Sequence, residues 1–193
     1  MLEVLSTILG LIQGVLVMLN KRSNWIFYSL QMFFLVLFSV GAHLWGDVVV
    51  DSIYFFVGIG GYSLWRRDGI AGEISVYSPR TRIAWIVVSM IAITVIWFVL
   101  SKTNNPLPLL DSITSVTSVV ATWFMFCHKL EAWLVWFVND LFYNAEYFLL
   151  PDKAIYLISL YIIWTLFAAV SFLNWRRLYV KNKMNIQIKM TSI

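Results

Sequence analysis

Residues 131–150 read EAWLVWFVNDLFYNAEYFLL. The stretch is apolar and reaches the roughly 20 residues a helix needs to cross a bilayer, yet Asn139, Asp140, Asn144 and Glu146 sit in its middle. At about 100° per residue, Trp133, Trp136, Asp140, Tyr143, Asn144 and Tyr147 fall within an arc of about 100°. Asn139 and Glu146 flank that arc, and the rest of the circumference is Leu, Val, Phe and Ala. A charged side chain facing lipid at mid-membrane costs about 2.5–3.5 kcal/mol even on lenient scales. An interhelical hydrogen bond returns only about 0.6 kcal/mol. Such bonding explains an isolated Asn139 or Asn144, but not two carboxylates beside two indoles and two phenols. The stripe is expected to face a wet binding cavity.

The rest of the chain agrees with a membrane setting. Of 193 residues, 61% are hydrophobic, 17% aromatic and only 12% charged, with a mean hydropathy of +0.80. A soluble domain of this size could not hide that much apolar surface. Seven apolar segments long enough to span are expected at about 2–20, 24–44, 47–65, 82–100, 108–126, 131–150 and 154–174. Their continuous apolar character excludes a β-barrel, whose strands alternate. The first span starts almost at once, carries Glu3 and lacks a basic leader, so no cleaved signal peptide is expected.

Seven spans sort the loops into two sets. Lys21, Arg22, Arg66, Arg67, Arg80, Arg82, Lys129, Arg176, Arg177, Lys181, Lys183 and Lys189 fall on one side, and only Lys102 and Lys153 on the other. The excess of basic loops marks the cytoplasm, so the N-terminus is expected outside and the C-terminus inside. This placement reads the net charge of +4 as a topology signal rather than a nucleic-acid footprint.

The chain also repeats itself. Trp65-Arg66-Arg67 returns as Trp175-Arg176-Arg177, 110 positions on, and Trp25 in KRSNW returns as Trp133 in HKLEAW, 108 positions on. Helices 1–3 and 5–7 are therefore expected to be copies joined by helix 4. An odd linker gives both copies one orientation, with the cargo near the midplane between them. The expected segments are 1–67 for the first repeat, 68–104 for the loop and linker helix, 105–177 for the second repeat, and 178–193 for a basic cytoplasmic tail.

Two further helices carry polar stripes. Asp111, Ser115, Ser118 and Thr122 follow i, i+4, i+7, i+11 spacing, with Thr114 alongside. Hydroxyls can also serve their own backbone or allow close packing, so the Ser and Thr positions read equally well as structural. In helix 3, Asp47, Asp51, Tyr54, Gly58 and Tyr62 share a face; Asp51 lies deep enough to need a cavity or partner. Gln13 and Gln31 are read as packing amides.

Aromatic faces bind planar rings and cations, the latter by about 2 kcal/mol or more when desolvated. Acids without a Lys or Arg inside any span make the cavity negative. A flat cationic heterocycle suits it and a phosphate does not. One cysteine, Cys127, rules out an intrachain disulfide, and His43 and His128 lack a ligand at i+3 or i+4, so no metal or other cofactor is expected. A membrane-embedded enzyme is the competing class, but no nucleophile or oxyanion site accompanies the acids. Ion or proton coupling through Asp111, Asp140 or Glu146 stays open.

Residues 24–65 and 111–150 resemble the PnuC family of bacterial vitamin transporters, through a Trp-x-x-Trp-x-x-x-Asn/Asp pattern met here by Trp133, Trp136 and Asp140. The resemblance implies an all-α integral membrane protein with seven spans in a 3+1+3 arrangement related to SWEET transporters, assembled as a homotrimer in the bacterial inner membrane. It implies uptake of nicotinamide riboside by facilitated diffusion, with trapping by a cytoplasmic kinase; relatives carry thiamine, riboflavin or deoxynucleosides. Two departures, Asp51 in place of Gln and Glu146 in place of an apolar residue, add acid. Nicotinamide riboside, a pyridinium, and thiamine, a thiazolium, both suit that change.

Overall fold

Among the described residues, seven helices form where the hydropathy places them. A computed structural model describes residues 2–41, 45–67, 74–103, 105–149 and 155–191. The helices are α1 Leu2–Met18, α2 Asn24–Gly41, α3 Trp45–Arg67, α4 Pro79–Leu100, α5 Pro108–Phe126, α6 Glu131–Leu149 and α7 Ile155–Thr191. In lipid each backbone amide must be paired within its own segment, which leaves helices as the solution for such runs.

Several ends differ from expectation for local reasons. Helix α4 starts at Pro79 rather than 82, because Ser78 caps it, accepting from the Thr81 N–H at 3.2 Å, and proline suits the first helical position. Helix α7 does not stop near 174. A membrane boundary is expected at Trp175-Arg176-Arg177, but neither Gly nor Pro follows to break the helix, and the helix continues to Thr191. At about 1.5 Å per residue, 37 residues exceed a hydrocarbon core of about 30 Å. The expected span ends at 42–44 and 150, and the start at 154, lie outside the described residues, as does Lys153.

The chain divides into two compact units, Met1–Glu73 and Ile74–Ile193. In the first, α2 packs against both α1 and α3; in the second, α6 packs against α5 and α7, and α4 lies on α5. Helix α4 thus belongs with the second unit. It buries no residue, and Ile83, Ile86, Met90, Ile91 and Phe98 are all exposed. An all-round apolar helix like this is stable only in hydrocarbon; α4 and α5 also meet the length and hydropathy of a span.

The first corner of each unit is the same device. Asn20 and His128 hold left-handed backbone, with φ of 55° and 57°. At the α1–α2 corner the Asn20 N–H donates to Val17 O at 2.9 Å and the Lys21 N–H to Leu16 O at 2.8 Å; at the α5–α6 corner His128 donates to Met125 O at 3.0 Å and Lys129 to Phe124 O at 2.8 Å. Both ends are Schellman caps, which satisfy the last carbonyls of a helix. Each unit is then held by an indole pair. Trp25 meets Trp65 at 5.5 Å and 89°, and Trp133 meets Trp175 at 5.6 Å and 84°. The Trp residues of the sequence repeat are therefore the edge-on packing of the second helix against the third.

The second corner has an extra strand of chain laid on it. Ser75 forms a parallel bridge with Lys129, donating to His128 O at 3.1 Å and accepting from the Leu130 N–H at 2.9 Å. Glu131 Oε1 then accepts from the Tyr77 N–H and from Arg82 Nε, both at 2.8 Å. Lys129 donates to Ser75 Oγ at 2.8 Å and lies 4.7 Å from the centre of the Tyr77 ring. Burial beside the Cys127 thiol pushes the Tyr77 phenol up to about 12. Burial likewise pulls His128 down to about 4, so its ring is neutral where it lies over Trp175 at 5.1 Å.

Candidate functional site

Helix α6 turns one face outward and the other into its unit. Leu134, Val138, Leu141, Phe148 and Leu149 are exposed, whereas Trp133, Asn139 and Asp140 retain 3%, 0% and 4% of their surface. The polar stripe faces α5 and α7, so neither carboxylate is spent on lipid.

Its two edges engage different neighbours. Toward α5, Thr117 Oγ1 donates to Asn139 Oδ1 at 2.7 Å and Thr114 Oγ1 to Glu146 Oε2 at 3.3 Å. Toward α7, Asn144 Nδ2 donates to its own helix at Asp140 O, 2.8 Å, and to Thr165 Oγ1 at 3.4 Å. Tyr143 and Tyr147 stack on each other, and Tyr161 of α7 lies 4.4 Å from Tyr143 and 5.4 Å from Tyr147. Trp136 and Asp140 lie on the arc between these edges.

Most of the residues expected to form the site come together in this unit, in unequal roles. Trp133 is packing, edge-on to Trp175 and near Phe167. Asn139 is the interhelical amide that its type allows. Asp111, near the start of α5, accepts from Asn105 Nδ2 at 2.5 Å and Ser115 Oγ at 3.3 Å. Ser118 donates to Ser115 O and so serves its own helix, whereas the single Thr114 hydroxyl is shared among Leu110 O, Asp111 O and Glu146 Oε2. Asp51 and Tyr54 belong to the first unit, where the Tyr54 ring tilts against Tyr28 at 6.3 Å. The side chain of Asp47 lies outside the described residues.

Three members were missed. Thr117 falls off the i, i+4 stripe of α5 but three positions after Thr114, and Tyr161 and Thr165 are an i, i+4 pair on α7. Polar residues at helical spacing in the seventh span were the available signal.

Two features leave this face chemically open. The Nε1 atoms of Trp133 and Trp136, Nδ2 of Asn139 and Oδ1 of Asn144 are buried without a hydrogen-bond partner among the described residues. Among the described residues Asp140 has no ion-pair partner. Buried polar atoms are normally satisfied, and their concentration on one helix gives a guest donors, acceptors and negative charge. A separate groove of about 450 Å³ between α6 and α7, lined by Leu141, Phe148, Ile162 and Leu166 with Asn144 and Thr165, opens on the exposed side and includes neither Trp136 nor Asp140.

Comparison with known proteins bears on this geometry. A nicotinamide riboside transporter PnuC from Neisseria mucosa is 22% identical over 186 residues, covering 90% of this chain and 71% of that protein. The crystal structure of the vitamin B3 transporter PnuC superposes with a TM-score of 0.72 at 21% identity, over 93% of this chain and 82% of the other. The family model described as nicotinamide mononucleotide transporter matches residues 1–177. A match across nearly every helix, with acids and indoles turned inward in a lipid-exposed bundle, places this chain in the PnuC-type nicotinamide mononucleotide transporter family, as a membrane transporter and not an enzyme.

Proposed function

We propose that this protein carries nicotinamide riboside into the cell by facilitated diffusion, with a cytoplasmic kinase trapping the product. The observation that carries the reading is Asp140: an inward carboxylate without an ion-pair partner among the described residues, on the same arc as the Trp136 indole and the open amide atoms of Asn139 and Asn144. A pyridinium fits that arrangement by charge and by stacking. A nucleotide phosphate would need an Arg or Lys there, and the basic residues lie at or beyond the ends of the spans. The unphosphorylated riboside is therefore favoured over the mononucleotide of the family's description.

Thiamine is the second reading, favoured by Glu146, which adds an acid on the same unit and hydrogen-bonds Thr114. The matching corners and indole pairs support a 3+1+3 architecture of parallel repeats. The basic loops support an N-out, C-in orientation in the inner membrane. The homotrimer rests on the family resemblance alone.

Proteoliposome uptake tests the reading. Radiolabelled nicotinamide riboside should equilibrate at the same rate after proton and sodium gradients are collapsed, and Asp140→Asn should slow it about tenfold or more, the loss of one desolvated charge interaction. Uptake that stops when the gradients collapse would establish coupling instead. An Asp140→Asn protein with unchanged uptake would remove the electrostatic basis of the proposal.

A further inference from the structure

The indole pairs that join the second helix of each unit to the third meet edge-on, Trp25–Trp65 at 89° and Trp133–Trp175 at 84°. The tyrosines of the second unit do otherwise. Tyr143 and Tyr161 stack across α6 and α7 at 4.4 Å and 30°, and Tyr143 and Tyr147 lie at 5.9 Å and 11°. Edge-to-face contact is a good way to fill space, because it sets the positive rim of one ring on the negative face of the next. Stacked phenols cover one face of each other and leave the outer negative face of the stack for a flat cation.

The position of the stack matters as much as its shape. Tyr143 and Tyr147 are three and seven residues beyond Asp140, on the same arc of α6. Tyr161 interacts electrostatically with Asp140 and shares a hydrogen bond with the Tyr147 hydroxyl. Thr165, one turn along α7, meets Asn144 at 3.4 Å. Helix α7 therefore presents a phenol and a hydroxyl to the acid-bearing face of α6, neither of which the Trp-x-x-Trp-x-x-x-Asp pattern includes.

We propose that Tyr161 is a cargo-contacting, specificity-determining residue: backed by Tyr143, its outer face is the stacking wall on which the cationic heterocycle lies, next to Asp140. This rests on the reading that the cargo is a flat cation. The hydroxyl of Tyr161 orients its ring through Tyr147, and the face selects charge. Tyr161 thus separates cationic rings from uncharged rings of the same size.

The test is a titration of the purified full-length protein with nicotinamide riboside and with its uncharged dihydro form. Tyr161→Phe keeps the face and should bind the cation within about threefold of the parent. Tyr161→Leu keeps bulk and removes the face, and should weaken the cation about tenfold while changing the dihydro form by less than about threefold. If Tyr161→Leu is not recovered folded, Tyr161→Met serves, with the same expectation. Equal losses for both ligands would assign Tyr161 to helix packing and overturn the proposal, as would no loss for either. If the parent protein binds thiamine and not the riboside, the choice of vitamin has failed but this inference has not. The same variants are then titrated with thiamine, and retention of its affinity by Tyr161→Leu would overturn the proposal. A parent protein that binds neither cation overturns both.

Discussion

The two three-helix groups share a skeleton and differ in what they do with it. Positions 108 apart at the first corner carry the same left-handed cap, and indoles at matching positions meet at nearly the same distance and angle. Where the second group has Asp140, the first has Met32; where it has Trp136, the first has Tyr28; where it has Glu131, the first has Ser23. Packing is repeated and polarity is not. Corners and indole pairs answer to backbone geometry, which is common to both copies, whereas an intramembrane acid is costly and is kept only where a guest or partner offsets it.

The largest effect should come from forcing one copy's packing residue on the other. Ser171 lies fully buried one turn before Trp175, and its counterpart, one turn before Trp65, is Gly61. A Cβ at Gly61 would stand 2.4 Å from Trp25 Cδ2 and 2.5 Å from Cε2, and a stiff indole held against Trp65 has nowhere to go. Gly61→Ser should destabilise the protein by about 3 kcal/mol, at the upper end of overpacking costs, or prevent its recovery. Ser171→Gly should cost about 0.5 kcal/mol through helix propensity. Thermal unfolding of the two variants compares them, and equal stabilities would refute the close approach of Trp25 to Gly61.

A smaller effect separates the two corner residues. Asn20 does not titrate; His128 does, and burial lowers it from 6.5 to about 4. The unfolded chain therefore binds a proton between those values that the folded protein refuses, so this contribution favours folding fully above about pH 6.5 and is lost as pH falls toward 4. At pH 5 the loss is about 2 kcal/mol. His128→Asn, which suits left-handed backbone, should cost about 1 kcal/mol at neutral pH through the ring contact with Trp175 and should remove this acid sensitivity. Melting temperatures at pH 7.5 and pH 5 measure it; parallel declines in both proteins would refute the assignment.

Much of this was legible before any coordinates. Helix existence follows from hydropathy, and the inward stripe of α6 from a wheel, because a membrane enforces both patterns strongly. The Trp repeat was visible, but its role was not, since an indole near a basic pair serves equally as an interfacial anchor or as packing. Trp133 shows the limit: the wheel sets it with Trp136 and Asp140, yet its ring is taken by Trp175. Tyr161 and Thr165 were not found because α7 was read for its boundary, and a stack across helices has no signature in either sequence segment alone. Helix ends shifted where single residues, Pro79 and the left-handed Asn20, decide them.

The smallest expected effect concerns what the second corner has and the first does not carry at Ser23. Glu131 holds the Tyr77 N–H and Arg82 with one oxygen, at the first residue of α6 where the helix dipole favours an acid. Arg82 is half exposed, so the ion pair itself contributes less than about 1 kcal/mol and is screened by salt. The amide bond is worth about as much again. Glu131→Gln keeps an acceptor for Tyr77 and should cost under about 1 kcal/mol; Glu131→Ser, the first copy's residue, should cost up to about 2 kcal/mol. If the corner's stability comes from the chain laid across it, raising salt should narrow the gap between parent and Glu131→Gln while leaving the gap between Gln and Ser unchanged. A salt-sensitive Gln–Ser gap would mean that charge, not the captured backbone amide, is what fastens residues 75–77 to the corner.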